Sequence, residues 1–203
     1  MPIEFWFDFA SNYSYLSAMR IEALARERGV DIVYRPFLLG PVFKAFGWDN
    51  SPFVLQKEKG AWVWVDMERQ CRKYGLGWRK PSVFPRRSVL PARLATAAEG
   101  QPWQAAFIRD IFELNFVHDQ DIENEEALSA LLRQHGADPQ QMLHGAASDE
   151  VRQRLRARTE EAQRRGVFGA PSFFIGAEMF WGNDRLDDAL DLAAGANQRG
   201  AAR

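Results

Sequence analysis

The stretch that decides the fold is Asp8–Tyr15, which reads DFASNYSY and joins an apolar, aromatic run at residues 3–9 to an amphipathic pattern that starts at Leu16. An apolar run followed by helical spacing predicts a buried strand that turns directly into a helix. A redox enzyme would place a C-x-x-C pair at this junction, and here Ser11 and Ser14 occupy the two positions. The stretch therefore keeps the location of a disulfide site without its sulfur.

The composition is that of a globular chain without a strong overall charge. Its 203 residues are 46% hydrophobic, which suits one domain or one domain with a sizeable insertion. Lys and Arg number 26 against 27 Asp and Glu, so no overall field favours nucleic acid or an anionic membrane. No apolar run approaches the roughly 18 residues that span a bilayer, and the N-terminus has no basic lead of a signal peptide. We therefore expect a cytoplasmic protein that binds neither nucleic acid nor membranes.

The cysteine and histidine content excludes two kinds of site. Cys71 is the one cysteine, so no intrachain disulfide can form. Three histidines, at positions 118, 135 and 144, lack the spacing of metal ligands. A disulfide oxidoreductase and a metal centre are therefore not expected.

The order of predicted elements indicates a mixed α/β fold. The first strand, a helix that ends near Gly29 and a second strand at residues 30–37 form a parallel pair with a crossover helix. A Gly, Pro and aromatic loop follows from Leu38. Helices are then predicted at 89–99, 102–115, 125–135 and 149–165, and strands at 171–176 and 178–182. A last helix, capped by Asp184, is predicted to end at Gly195.

A second informative stretch, Gly166–Gly176, reads GVFGAPSFFIG, and Pro171 opens a strand there. This proline is either a rigid link between loop and strand or a cis proline that faces the start of the first helix. In the second case the backbone of Ala170 turns toward a ligand and can pair with a peptide as an added strand does. Ser11 also allows two interpretations, a plain helix N-cap or a residue that places an anion such as a thiolate at the helix start.

Taken together, the motifs resemble the glutathione-dependent branch of the DsbA-like thioredoxin superfamily. The resemblance is greatest to the 2-hydroxychromene-2-carboxylate isomerases, with the kappa-class glutathione transferases as near relatives. The matching motifs span nearly the whole chain in the family's order: FDF at 7–9, S-x-x-SYL at 11–16, Lys44, FP at 84–85, GVFGAP at 166–171 and EMFWGNDRL at 178–186. The resemblance implies a thioredoxin-like fold with a large helical insertion between the second and third strands. Residues 1–40 and 165–203 would form the thioredoxin-like domain, and residues 41–164 the loop and helical insertion.

The resemblance also implies a cofactor, glutathione, and the residues that bind it. Ser11 would be the catalytic residue that contacts the glutathione sulfur, and the backbone of Ala170 would hold the cysteinyl moiety. The γ-glutamyl end would be bound by Trp181, Gly182, Asn183 and Asp184. Lys44 would face the carboxylate of a small aromatic substrate, since a lysine pairs readily with that group. Asn50 and Arg87 would lie in the same substrate region, and the protein would be a homodimer.

The implied activity is an interconversion of 2-hydroxychromene-2-carboxylate and trans-o-hydroxybenzylidenepyruvate in aromatic hydrocarbon catabolism of the naphthalene type. Glutathione would add transiently through its thiolate and leave unchanged. Aromatic residues that could receive the substrate ring are Phe43, Phe46, Trp48, Trp62 and Trp64. Two alternatives stay open, a kappa-like glutathione transferase and a redox-inactive thioredoxin-like binding module.

The sequence departs from the family at three places near these sites. Asn12 stands where many relatives have proline, which should loosen the turn without touching the chemistry. Arg87 stands where asparagine is common, and the loop at residues 48–52 is not a clean match to the family. These last two lie in the region that would bind the substrate.

Overall fold

The computed structural model describes residues 1–201, with side chains described through Gly195. Residues 202 and 203, the end of the predicted 165–203 segment, lie outside the described residues. Within the described chain the sheet has four strands in the order β2-β1-β3-β4. The strands are β1 (Ile3–Phe7), β2 (Ile32–Pro36), β3 (Ser172–Ile175) and β4 (Glu178–Trp181).

The sheet is mixed, with β1 in the centre. β1 runs parallel to β2 and antiparallel to β3, so that Phe5 lies opposite Tyr34 on one side and Phe173 on the other. β4 pairs with β3 in antiparallel orientation. This topology confirms the predicted parallel opening pair and the thioredoxin-like fold.

Helices cover the sheet and fill the chain between β2 and β3. They are α1 (Asn12–Ala18), α2 (Ile21–Glu27), α3 (Leu39–Ala45), α4 (Pro52–Leu55), α5 (Lys57–Tyr74), α6 (Val89–Ala97), α7 (Gln104–Phe116), α8 (Glu125–Gln134), α9 (Pro139–Ala147), α10 (Asp149–Arg164) and α11 (Leu186–Ala201). The insertion between the second and third strands is therefore helical, as predicted. The exact division at residues 40/41 and 164/165 stays a prediction.

Side chains of β1 alternate between two cores, as the period of a strand requires. Phe5 and Phe7 point into the larger core, which includes residues of α1, α2 and α5 to α11. Trp6 points into a smaller core with Phe37 and Phe174. Because both faces of β1 are buried, its sequence reads as an almost continuous aromatic run.

The single helix predicted after Ser11 is in fact two helices, because the chain turns at Arg20. The Arg20 N–H donates to the carbonyl of Ser17 at 3.1 Å, a tighter turn than an α-helix makes. The Arg20 guanidinium donates to Oδ1 of Asn183. After this break, the buried residues of α2 are Ile21 and Ala25.

The observed helices differ from the predicted ones in four further ways. α3 forms where a loop was predicted, and α9 was not predicted. The last helix begins after a 3-10 turn at Asn183–Arg185, so Asp184 lies inside that turn and does not cap α11. α11 also continues past Gly195.

Candidate functional site

Ser11 lies just beyond the carboxyl end of β1 and is the N-cap of α1. Its backbone is extended (φ −86°, ψ 115°), and its Oγ accepts a hydrogen bond from the N–H of Ser14 at 3.2 Å. The capping role predicted for Ser11 is therefore confirmed. Because α1 has only seven residues, we expect its dipole to stabilise an anion by the lower part of the usual range of about 0.3–1 kcal/mol.

The Ser11 hydroxyl joins the two stretches that the sequence singled out. It donates to the carbonyl oxygen of Ala170 at 2.9 Å, across 159 positions of the chain. The Ala170–Pro171 peptide bond is cis, which decides between the two interpretations of that proline. A hydroxyl has one proton, and here Ala170 receives it. A ligand atom that accepts from Ser11 must therefore displace this contact.

Asp8 fixes the position of the loop that carries Ser11. Its carboxylate is buried and accepts three hydrogen bonds, from Ala10 N at 2.9 Å, Leu39 N at 2.7 Å and Ser88 Oγ at 2.6 Å. Burial outweighs these donors and raises the pKa of Asp8 above its ordinary value. Asp8 thus ties the start of α1 to the starts of α3 and α6. No role was predicted for Asp8, although an acid directly after an apolar strand was a signal.

The segment after β4 comes back to the same place. The N–H of Gly182 donates to the carbonyl of Pro171 at 2.9 Å. Gly182 has φ +108°, and a Cβ added there would lie 2.5 Å from Oδ1 of Asp184. The positive φ favours glycine at this position, whereas the exposed Asp184 side chain could move away from an added Cβ. The carboxylate of Asp184 is largely exposed and lies 3.4 Å from Arg185.

The side chains of Trp181 and Asn183 are fixed by neighbouring residues. A Cβ added to Gly169 would lie 2.5 Å from Nε1 of Trp181, so the indole packs directly on the glycine backbone. The other neighbour of the indole is the ring of Phe168, with centroids 4.8 Å apart. Oδ1 of Asn183 accepts from Ser17 Oγ at 3.1 Å and from Arg20, which holds this segment against α1.

One face of α5 lines the same cavity as Ser11. Its residues follow helical spacing and are Lys59, Trp62, Val63, Asp66, Gln70, Lys73 and Tyr74. The hydroxyl of Tyr13 donates to Oδ2 of Asp66 at 2.7 Å, and Gln70 donates to Oδ1 at 3.2 Å. Burial and the nearby Asp66 raise the pKa of Tyr13, which stays protonated. No role was predicted for Tyr13 or Asp66, because this hydrogen bond spans 53 positions of the chain.

These groups line a single cavity with a volume of about 1000 Å³. That volume is at the upper end of the range of roughly 300–1,000 Å³ for small-molecule sites. The cavity brings together Ser11, Ala170, and residues 181–184, as predicted for one site. Its aromatic lining consists of Tyr13, Phe43, Trp48, Phe53, Trp62, Tyr74, Phe84, Phe168 and Trp181. Of the aromatic residues predicted for the substrate ring, Phe46 and Trp64 are not part of the lining described for residues 1–195.

The residues predicted to bind the substrate are only partly brought together. Asn50 and Arg87 line the cavity, whereas Lys44 is exposed and is absent from the lining formed by the described side chains. Lys44 directly follows Phe43 on α3. Successive side chains of a helix are rotated by about 100° around its axis, so Lys44 does not share the face on which Phe43 lies. The side chain of Arg87 is 83% exposed, 3.8 Å from Glu123. Lys59, which was not predicted, does line the cavity.

Cys71 has no part in this site. It is buried in the core, and burial raises the pKa of its thiol to about 12. A thiol with that pKa is protonated at neutral pH and is a poor nucleophile. In the part of the chain that the structure describes, no group of three His, Cys, Asp or Glu could hold a metal ion, and no helix is long and apolar enough to cross a membrane.

Comparisons with known proteins agree with this architecture. The sequence model of the DSBA-like thioredoxin domain matches residues 2–193. A 2-hydroxychromene-2-carboxylate isomerase of Pseudomonas putida is 34% identical over 188 residues, which cover 92% of this chain and 91% of the relative. Glutathione S-transferase kappa 2 of Caenorhabditis elegans is 25% identical over 210 residues, 95% of this chain and 91% of the relative. A solved structure of a 2-hydroxychromene-2-carboxylate isomerase has a TM-score of 0.88 at 29% identity, covering 100% of this chain and 98% of that one. This chain therefore belongs to the DSBA-like thioredoxin domain family.

Proposed function

We propose that this protein is a glutathione-dependent isomerase that interconverts 2-hydroxychromene-2-carboxylate and trans-o-hydroxybenzylidenepyruvate in aromatic hydrocarbon catabolism. The observation that carries the proposal is the contact between Ser11 Oγ and the carbonyl of Ala170 inside one large cavity. The names of the relatives in Pseudomonas putida and among the solved structures supply the substrate. Cytoplasmic localisation and a homodimer stay predictions.

The residues of the cavity fit glutathione, which has one ammonium group, two carboxylates and a thiol. Asp184 can accept from the ammonium group, because its carboxylate lines the cavity and is largely exposed. Lys73 and Arg185 in the same lining can pair with a carboxylate. Asn12 adds a buried amide whose two polar atoms have no hydrogen-bond partner among the described residues. Such atoms are expected where a site is built to receive a polar ligand.

In the proposed complex Ser11 turns its hydroxyl from Ala170 to the glutathione sulfur. A hydrogen bond to a charged acceptor contributes about 1.5–3 kcal/mol, against about 0.5–1.5 kcal/mol for the neutral contact that is lost. The freed carbonyl of Ala170 can then accept from an amide of the tripeptide, as in the pairing of an added strand. Trp181, Gly182, Asn183 and Asp184 bind the γ-glutamyl end. Because the exchange leaves no backbone carbonyl unpaired, its free-energy cost to the protein is small.

When bound, glutathione supplies a thiolate nucleophile that adds reversibly to the conjugated substrate and is recovered unchanged. The aromatic lining contributed by Phe43, Trp48, Phe53, Trp62 and Phe84 packs against the substrate rings and excludes water. Lys59 pairs with the substrate carboxylate, together with Asn50 and Arg87. Lys44 is not part of this proposal, because it lies outside the cavity lining.

Two other functions stay open. A kappa-like transferase would also hold glutathione at Ser11 but would release it bonded to the product, and the kappa relative favours this alternative. A binding module without turnover would use the fold alone. A disulfide oxidoreductase is not considered, since it needs two thiols and the chain has one.

The proposal is tested first by thermal unfolding with and without glutathione. At about 100 times its dissociation constant a ligand adds roughly 2.7 kcal/mol, which corresponds to a rise in Tm of roughly 5–10 °C for a chain of this size. Absence of any rise contradicts a glutathione site. Glutathione is then counted during turnover of 2-hydroxychromene-2-carboxylate. Recovery of all the glutathione supports the isomerase, and a loss of one molecule per product formed supports the transferase.

A further inference from the structure

Asn12 places a polar group beside Ser11 that the fold leaves without a partner. It is the first residue of α1, it is 1% exposed, and it lines the cavity. Both its Oδ1 and its Nδ2 are buried, and neither has a hydrogen-bond partner among residues 1–195. A buried polar group left unpaired destabilises a protein and is rare in native structures. The amide of Asn12 therefore requires an explanation.

Other unpartnered polar atoms near the start of the chain do not share this position. Ser14 Oγ also lacks a partner among the described residues, but Ser14 does not line the cavity. Asn115 is a buried asparagine whose Oδ1 also lacks a partner among the described residues, but its Nδ2 donates to the carbonyl of Phe9 at 3.0 Å. The core thus satisfies the amide nitrogen of Asn115 and leaves that of Asn12 unpaired at the edge of the cavity.

Several donors close to Ser11 are already engaged. The hydroxyl of Ser11 donates to the carbonyl of Ala170, and the N–H of Ser11 donates to the carbonyl of Asp8. The N–H of Ala10 donates to the Asp8 carboxylate, and that of Ser14 donates to Ser11 Oγ. A side-chain amide carries two N–H donors, and those of Asn12 have no acceptor within the described part of the chain.

We propose that the side-chain amide of Asn12 donates a second hydrogen bond to the sulfur of bound glutathione, beside Ser11. The inference rests on the proposed function, because it concerns the same sulfur. A rotation about the Cα–Cβ and Cβ–Cγ bonds of Asn12 moves the amide between its buried position and the cavity. The amide is unpaired without the ligand and paired with it, so the difference contributes directly to binding. The expectation that Asn12 leaves the chemistry untouched is replaced by this role.

The test compares Asn12→Ala with Ser14→Ala, which removes the unpartnered hydroxyl of the same helix. Each variant removes a buried unsatisfied group, so we expect the Tm of the ligand-free protein to be unchanged or higher in both. The rise in Tm caused by glutathione should be smaller in Asn12→Ala and unchanged in Ser14→Ala. Ultraviolet absorbance of the bound thiolate should show a thiol pKa higher by about 1–2 units in Asn12→Ala only. Asn12→Leu, which keeps the volume without polar atoms, should repeat this result if Asn12→Ala folds poorly.

Two results would overturn the inference without touching the proposed function. The first is that the glutathione-induced rise in Tm and the thiol pKa are the same in the wild type and both Asn12 variants. The second is that the Asn12 variants lose stability without glutathione while the thiol pKa stays constant, because Asn12 would then be a structural residue. If the wild type itself gains no stability from glutathione, the proposed function fails and this inference fails with it.

Discussion

Replacing Ser11 with alanine removes a hydroxyl that makes two contacts in the ligand-free protein. Its Oγ accepts from the N–H of Ser14 at 3.2 Å and donates to the carbonyl of Ala170 at 2.9 Å. Loss of a serine N-cap costs about 1 kcal/mol, and loss of a neutral hydrogen bond costs about 0.5–1.5 kcal/mol. We therefore expect a loss of about 2 kcal/mol, or roughly 4–8 °C in Tm. The variant should remain folded, because the core does not depend on this residue.

The larger effect of Ser11→Ala should be on bound glutathione. Loss of a hydrogen bond to the charged sulfur removes about 1.5–3 kcal/mol, which raises the pKa of the bound thiol by about 1–2 units. At neutral pH the thiolate fraction then falls, by at most about ten- to a hundredfold, and isomerase activity should fall with it. The assay is a pH titration of the thiolate absorbance of protein-bound glutathione, with Ser14→Ala as the control. If the thiol titrates at the same pH in the wild type and in Ser11→Ala, the role given to Ser11 is wrong.

Three further substitutions test other parts of the site. Gly169→Ala adds a Cβ 2.5 Å from the indole nitrogen of Trp181. The resulting overpacking of about 1–3 kcal/mol should weaken glutathione binding roughly tenfold. The control Gly145→Ala, whose added Cβ meets no neighbouring atom within 4 Å, should leave binding unchanged. Lys59→Ala should raise KM for the carboxylate substrate about three- to fivefold, as for an exposed ion pair, and Lys44→Ala should not; the reverse result would contradict the cavity assignment. Asp8 binds a proton more tightly in the folded than in the unfolded protein, because burial raises its pKa above 3.8. Its contribution to stability should fall as pH rises from about 4. In urea unfolding, the free energy of unfolding of the wild type should therefore increase relative to that of Asp8→Asn as pH is lowered. If this difference in free energy decreases instead, the three donors keep the carboxyl ionised.

The sequence predicted those features of the fold that depend on local patterns. Alternation and helical spacing identified β1, β2 and the return strands, and the junction at Ser11 was placed correctly. That a cis Pro171 would face the start of the first helix was expected from the combination of two motifs and not from either alone. The direct hydrogen bond from Ser11 to Ala170 was not predicted. Helix α9 could also have been predicted, because Asp138 caps it directly before Pro139. This pair is a common signal for the start of a helix.

Other features could not be predicted because they depend on residues far apart in the chain. α3 begins where Leu39 donates to the buried carboxylate of Asp8, a contact across 31 positions. The break between α1 and α2 coincides with the bonds of Arg20 to Asn183, across 163 positions. Lys44 was assigned from a motif without knowledge of the helix phase that directs it away from the cavity. Periodicity alone carries none of this information.

The most direct test of the role proposed for Ser11 is a crystal structure of the protein with glutathione. We expect the sulfur to lie within hydrogen-bonding distance of Ser11 Oγ, the Ser11 hydroxyl to have left the carbonyl of Ala170, and the cysteinyl backbone to pair with Ala170. We also expect the γ-glutamyl end to lie against residues 181–184. A structure in which glutathione binds elsewhere, or in which Ser11 still donates to Ala170 while the sulfur lies away from it, would contradict this role.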